Sequence, residues 1–233
     1  MAEKFDVSGV PCGPRPVIDY PGTETVEWYG FTRHNFELNG FSGFIVEPPH
    51  PAPGLPWTWC LQWAEAFVPR TPALKLLERG FHHVHLNVFE TCLNSDGVAV
   101  LEDFYRMLRG LGFHPKAALI GMSYGGLFSF RWAAEHPETV AAIYADAPVC
   151  SLDFRLTSFP NDTDPERCEE RRKDAERIAG LYGTSLEKLG EHPLSPLNNV
   201  QPVADAGIPI YAVRSGQDLS VVPQFNIDIF EER

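Results

Sequence analysis

From Thr71 to Gly216, short apolar runs alternate with segments of helical character, and this rhythm leaves few architectures open. "TPALKLLERG" offers Thr71 as a helix N-cap, Pro72 at the first helical position and Gly80 as a stop. "FHHVHLNVF" reads as a buried strand, and "DGVAVLEDFYRMLRGLG" spaces Val98, Leu101, Phe104, Leu108 and Leu111 along one helical face. "AALIGM" is a strand, "YGGLFSFRWAAEHP" a helix ended by Pro137, and "VAAIYADAPV" and "IPIYAVRSG" are two further strands. Parallel neighbours need long crossovers, usually helical. The expected class is therefore α/β, with a mostly parallel, doubly wound sheet and helices on both faces.

The front of the chain differs. Of 21 prolines, eleven lie between Pro11 and Pro72, so loop and extended chain dominate there. "VEWYGFTRHNFELNGFSGFIVEP" alternates apolar and polar residues in two runs joined by Asn39-Gly40, both tolerant of the positive φ of a tight turn, which predicts an antiparallel hairpin. "WTWCLQW" reads as the next strand. Residues 151–207 form a charged, proline-dotted insertion between the last two strands; in it Asp164 caps a helix with Pro165 at N1, and Glu169 and Lys173 stand four apart. The insertion is a candidate lid or a plain surface excursion. At 233 residues, a single domain over 1–233 is expected.

Composition excludes several roles. The net charge of −12 repels phosphate backbones and anionic lipid, so neither nucleic acid nor a membrane is expected as a partner. Cys12, Cys60, Cys92, Cys150 and Cys168 are odd in number and lack zinc-ligand spacing, which suggests reduced thiols and no metal. His83 and His85 share a strand face, but no acidic or thiol ligand of suitable spacing joins them. No apolar leader or window of about 18 uncharged apolar residues is present, so a cytoplasmic location is expected.

"LIGMSYGGL" carries the chemistry. Gly121-Met-Ser123-Tyr-Gly125 follows a strand and opens a helix, the context in which a serine is presented on a sharp turn at the carboxyl end of a sheet. Glycines two positions to either side let strand and helix approach. Ser123 is the expected nucleophile, and the Tyr124 N–H, in the first turn of the helix, the expected oxyanion donor.

"GMSYGG", "LEDFYRMLRGLGF", "WAAEHPETVAAIYADAPVC" and "IPIYAVRSGQDLSVVPQFNIDIFEER" together resemble the α/β-hydrolase superfamily. More narrowly they are similar to a bacterial serine esterase group associated with plant polysaccharide breakdown, pectin-esterase-like, with PW-x-W near the front, D-A-P-V-C after the elbow helix and V-V-P-x-x-N near the end. The resemblance implies a triad in the order Ser, acid, His. It puts the acid at Asp218 in "SGQDLSVVP", one residue short of the family spacing, with Leu219 at the usual acid position; Asp146 in "YADAPVC" is the alternative. It puts the base on a loop beyond a further helix and strand. All eight histidines (His34, His50, His82, His83, His85, His114, His136 and His192) precede Asp218, and the sequence ends within "FNIDIFEER", as though truncated.

The second oxyanion donor is expected in the loop after the third strand of such a fold, here in "PWTWCLQW", at Trp59 or Cys60. Trp57, with Trp59 and Trp63, offers a substrate wall or a sugar-stacking platform, or else part of the core. The expected activity is hydrolysis of carboxylic esters, carbohydrate-linked ones included, through an acyl-enzyme and without a cofactor. The alternative is a binding protein or degenerate hydrolase that keeps the pocket and lacks the base.

Overall fold

The computed structural model describes residues 17–22, 24–159 and 162–233. Cys12 and the first three prolines, Pro11, Pro14 and Pro16, lie outside them, as does Pro160. In chain order the strands and helices are β1 (Glu24–Trp28), β2 (Phe31–Leu38), β3 (Phe41–Glu47), β4 (Trp57–Gln62), α1 (Ala73–Glu78), β5 (His82–Leu86), α2 (Ser95–Gly110), β6 (Ala117–Met122), α3 (Tyr124–Glu135), β7 (Val140–Asp146), α4 (Phe154–Thr157), α5 (Pro165–Leu181), α6 (Gln201–Asp205), β8 (Ile210–Val213) and α7 (Ile227–Glu232).

The eight strands form one sheet in the order β1-β2-β3-β5-β4-β6-β7-β8. β1 to β3 run antiparallel, β3 meets β5 antiparallel, and β5, β4, β6, β7 and β8 are mutually parallel. The expected α/β sheet with an antiparallel entry is present. Leu38 pairs with Phe41 around Asn39 (φ 53°) and Gly40 (φ 82°), the two positive-φ residues that a primed two-residue turn requires.

Alternation along the strands sorts the core into two layers. Ile45, Trp59, Leu61, Val84 and Leu119 point to the larger cluster, which takes in Leu101 and Phe104 of α2, Leu127 and Phe128 of α3 and Ile178 of α5. Their strand neighbours Phe44, Val46, Cys60 and Ile120 face Ala73 and Leu77 of α1. A period of two in the strands is what places helices on both faces.

Local signals set the helix starts. The Asn94 side chain accepts from the Gly97 N–H at 3.0 Å and opens α2. Asp164 Oδ1 accepts from the Glu166 and Arg167 N–H groups and opens α5, with Pro165 at N1 as the sequence predicts. Glu169 and Lys173 pair at 3.6 Å on its solvent side, while Ala175, Ile178 and Ala179 turn inward. α1 begins one residue later than expected: Pro72 occupies the cap, and Thr71 Oγ1 accepts from the Ala73 N–H. Among the described residues no helix is long and apolar enough to cross a membrane.

Candidate active site

Ser123 joins β6 to α3 at φ 53°, ψ −117°, a backbone region that side chains rarely occupy. Such a conformation costs about 1–3 kcal/mol and persists only where the surroundings over-determine it. Here the Ser123 N–H donates to the Asp146 carbonyl at 3.0 Å, and its own carbonyl accepts from the N–H groups of Gly126 at 2.9 Å and Val149 at 3.0 Å. Packing closes the remaining freedom. A methyl group at Gly121 would stand 2.6 Å from Ser129 Oγ, and one at Gly126 would stand 2.6 Å from Pro148 Cα. Ser123 is half-buried, and its hydroxyl makes no cap bond to α3, so it is not consumed by the helix it precedes.

Tyr124 is the first residue of α3, and N–H groups in a first turn have no carbonyl one turn earlier to bond. Apart from the Gly126 N–H, which bonds the Ser123 carbonyl, they lie at the positive end of the helix dipole next to Ser123.

The structure corrects the other expected donors. Trp59 and Cys60 lie inside β4, where they pair with Leu119 and Ile120 of β6, and both are buried. Trp59 is fully buried against Trp132 at 4.9 Å and Phe104 at 5.6 Å, and the Cys60 thiol, pushed up to about 12 by burial, bonds the Gln62 carbonyl. Trp57 is likewise no substrate wall: it starts β4 at the end of the parallel sheet away from Ser123, and its indole donates to the His114 carbonyl at 2.7 Å. "WTWCLQ" is strand throughout and buried at every position.

Trp63, which the sequence groups with Trp57 and Trp59 as a possible substrate wall but does not single out as a donor, is the one of the three at the rim. It follows the last residue of β4 with φ 62° and is 39% exposed. Its neighbour Gln62 pairs with Gly121, and a methyl group at Gly125 would come within 3.1 Å of the Gln62 carbonyl, so the end of β4 and the start of α3 touch. An apolar run gives no local sign of where its strand stops; only the pairing with β6 reveals it. From Trp63 a row of rings crosses the rim: Phe89 at 5.3 Å, then Tyr124 at 5.4 Å from Phe89, then Phe154 at 4.8 Å from Tyr124. On its other side Trp63 borders an open cavity of about 910 Å³ whose wall includes Asn35, Ser42, Gln62, His85 and Asn87. Gln62 Oε1 is buried there without a partner among the described residues.

Of the two acids, Asp146 ends β7 level with Met122 and accepts weakly from the Tyr144 hydroxyl at 3.4 Å. Asp218 lies in the loop after β8, where Oδ1 accepts from the Ser220 and Val221 N–H groups at 2.8 and 3.0 Å. The histidines have other partners. His34 stacks on Tyr20, whose hydroxyl bonds His82, while His83 bonds the Thr58 hydroxyl and His85 the Cys60 carbonyl. Burial pulls His82 and His85 down to about 4 and His83 to about 3, so all three are neutral imidazoles at pH 7. His114 bonds around Lys116, His136 meets Glu102 at the far end of α3, His192 packs on Tyr182, and His50 lies in the β3–β4 connection beside Gly80. The corner thus brings together a half-buried hydroxyl and a helix N-terminus, with a carboxylate two strands away.

Comparison with known proteins agrees with the sheet. The alpha/beta hydrolase fold family model matches residues 39–196, about two thirds of the chain. Among solved structures, AbyA5 superposes with a TM-score of 0.54 at 17% identity, over 88% of this chain and 61% of that one. Puromycin hydrolase superposes with a TM-score of 0.59 at 19% identity, over 94% of this chain and 34% of that one. MGS-MChE2, an alpha/beta hydrolase enzyme from the metagenome of lagoon sediments of Mar Chica, Morocco, gives 0.52 at 13% identity, over 85% and 82%. This chain therefore spans less than two thirds of AbyA5 and about a third of puromycin hydrolase. No curated protein sequence matches it.

Proposed function

We propose that this chain, which belongs to the α/β-hydrolase fold family, is a serine hydrolase of carboxylic esters that works through an acyl-enzyme. The observation that carries the reading is the Ser123 corner, at φ 53° and ψ −117° between a parallel strand and a helix N-terminus. Ser123 Oγ attacks the ester carbon, and the Tyr124 N–H and, in place of Trp59 and Cys60, the Trp63 N–H at the end of β4 hold the tetrahedral oxyanion. The alcohol leaves, and water hydrolyses the acyl group from Ser123. The proton of Ser123 passes to a general-base imidazole that Asp218 orients, with Asp146 as the alternative acid; the histidine rings placed above engage other partners and do not supply it. The cavity that Trp63 borders, with Asn35, Ser42 and Asn87 and the charged Glu24, Arg33, Glu37 and Glu65 on its wall, suits a polar alcohol such as a sugar, in line with the resemblance to pectin-esterase-like proteins.

The test is covalent. A fluorophosphonate probe labels Ser123, Ser123→Ala abolishes the label, and p-nitrophenyl acetate hydrolysis falls with it; hydrolysis that survives Ser123→Ala overturns the mechanism. A second reading, a binding protein or degenerate hydrolase, is favoured by one observation: the histidine rings placed above engage partners other than Ser123 and Asp218. Under that reading the probe leaves Ser123 unmodified, because a serine without a base stays protonated and is a poor nucleophile.

A further inference from the structure

Asp174, in the middle of α5, gathers four hydrogen-bond donors from three parts of the chain. The Tyr124 hydroxyl donates to Oδ2 at 3.1 Å and Arg155 Nε to the same oxygen at 2.6 Å. Arg177 Nε and Nη2 donate to Oδ1 at 3.2 and 3.1 Å, and Arg177 Nη1 continues to the Glu90 carbonyl at 3.3 Å, in the turn that follows β5. Burial alone would raise the Asp174 carboxyl; hydrogen bonds and charge from Arg155 and then Arg177 more than offset it, so it stays ionised below the usual range. The phenol of Tyr124 is pushed up, chiefly by burial, and so keeps its proton at neutral pH.

Arg177 stands three residues from Asp174 on the same helix, and such a pair is ordinary. Tyr124 and Arg155 come from elsewhere. Tyr124 is 4% exposed, edge-on to Phe89 and Phe154, with the Arg155 guanidinium 5.6 Å above its ring. The residue directly after the nucleophile is thereby gripped on both sides, on its face and at its tip, and the tip is held by the insertion.

From this we infer that Asp174 is a positioning residue: through the Tyr124 hydroxyl it fixes the peptide that presents the first oxyanion N–H, so the insertion is a built-in brace of the site and not a swinging lid. The inference rests on the serine-hydrolase reading for its catalytic meaning. Oxyanion donors act only when held within about 0.5 Å and 10–20° of the productive geometry, and the loss of one donor outright costs about 10²–10³ in rate. A donor that is loosened but present should cost less, about 10-fold.

The experiment uses the full chain with Tyr124→Phe, which deletes only the hydroxyl, and Asp174→Asn, which keeps the shape but leaves Arg155 and Arg177 uncompensated. Asp228→Asn, in an exposed pair with Arg214, is the control. Two readouts are taken: the rate of Ser123 labelling by a fluorophosphonate at saturating probe, and hydrogen–deuterium exchange of the segment 118–127. Both variants are expected to slow labelling about 10-fold with little change in the half-saturating probe concentration. The double variant should be no slower than the slower single, and exchange at the elbow should quicken in both. Should Asp174→Asn fail to fold, Tyr124→Phe decides alone. Unchanged labelling and unchanged exchange in the folded variants overturn the brace. A wild-type chain that takes no label removes the hydrolase reading by itself, and exchange then decides the brace: faster exchange supports it, unchanged exchange ends it.

Discussion

At the β6–α3 corner Ser123 is held by three backbone hydrogen bonds and by two glycines that admit no methyl group, whereas Asp218, beyond β8, is held by two N–H groups of its own turn and is followed by Leu219 at 82% exposure. Both residues are expected in one triad, yet the protein invests its packing in one of them. The strained backbone explains the asymmetry. A conformation that costs free energy must be enclosed on every side to exist, while an Asx-type turn is a relaxed local minimum that asks for no support. β8 adds to the contrast: it is four residues long, pairs on one side with β7, and leaves Ile210 and Tyr211 exposed.

The contrast can be broken or sharpened by substitution. Gly126→Ala forces a methyl group into the backbone of Pro148 and should cost about 3 kcal/mol in denaturant unfolding, together with the Ser123 label. Tolerance of that methyl would mean that the corner is not enclosed. Next comes Ser123→Gly, which removes the hydroxyl and relieves the backbone at once: stability should rise by about 1–2 kcal/mol while labelling disappears. A fall in stability instead would show the corner to be unstrained. At the other site Asp218→Ala loses two partly exposed hydrogen bonds and should cost about 0.5–1 kcal/mol; a loss as large as that of Gly126→Ala would erase the difference between the two regions. Smallest is Leu219→Ser, whose unfolding free energy should change by less than about 0.5 kcal/mol, since the side chain meets mostly water.

How far the sequence reveals this arrangement depends on the range of the forces involved. The elbow is legible because glycine, serine and the flanking periodicities all act within a dozen residues. The Asn39-Gly40 hairpin and the Asp164-Pro165 helix start are legible for the same reason. Trp57, Trp59 and Trp63 could not be separated, because "WTWCLQW" holds no glycine, proline or charge to mark where the strand stops, and the turn at Trp63 lies where pairing with β6 ends. Nothing local marks Asp174 either: in a helix rich in acids and bases it looks like another solvent-facing charge, and only the fold brings Tyr124, fifty positions earlier, to its carboxylate. His83 and His85, which share a strand face without a third ligand in the sequence, are neutral hydrogen-bonding members of the core.

The placement of the tryptophans also has an optical consequence. Trp28, Trp57, Trp59 and Trp132 are shielded, with Trp57, Trp59 and Trp132 close enough in space to couple electronically, so together they should give a strong near-ultraviolet dichroism that reports on the interior. Trp63 alone among the five meets solvent appreciably. Collisional quenchers such as iodide should therefore reach a single red-shifted emitter at the rim, and a molecule settling beside it would be visible as protection of that one fluorophore, with no chromogenic ester required.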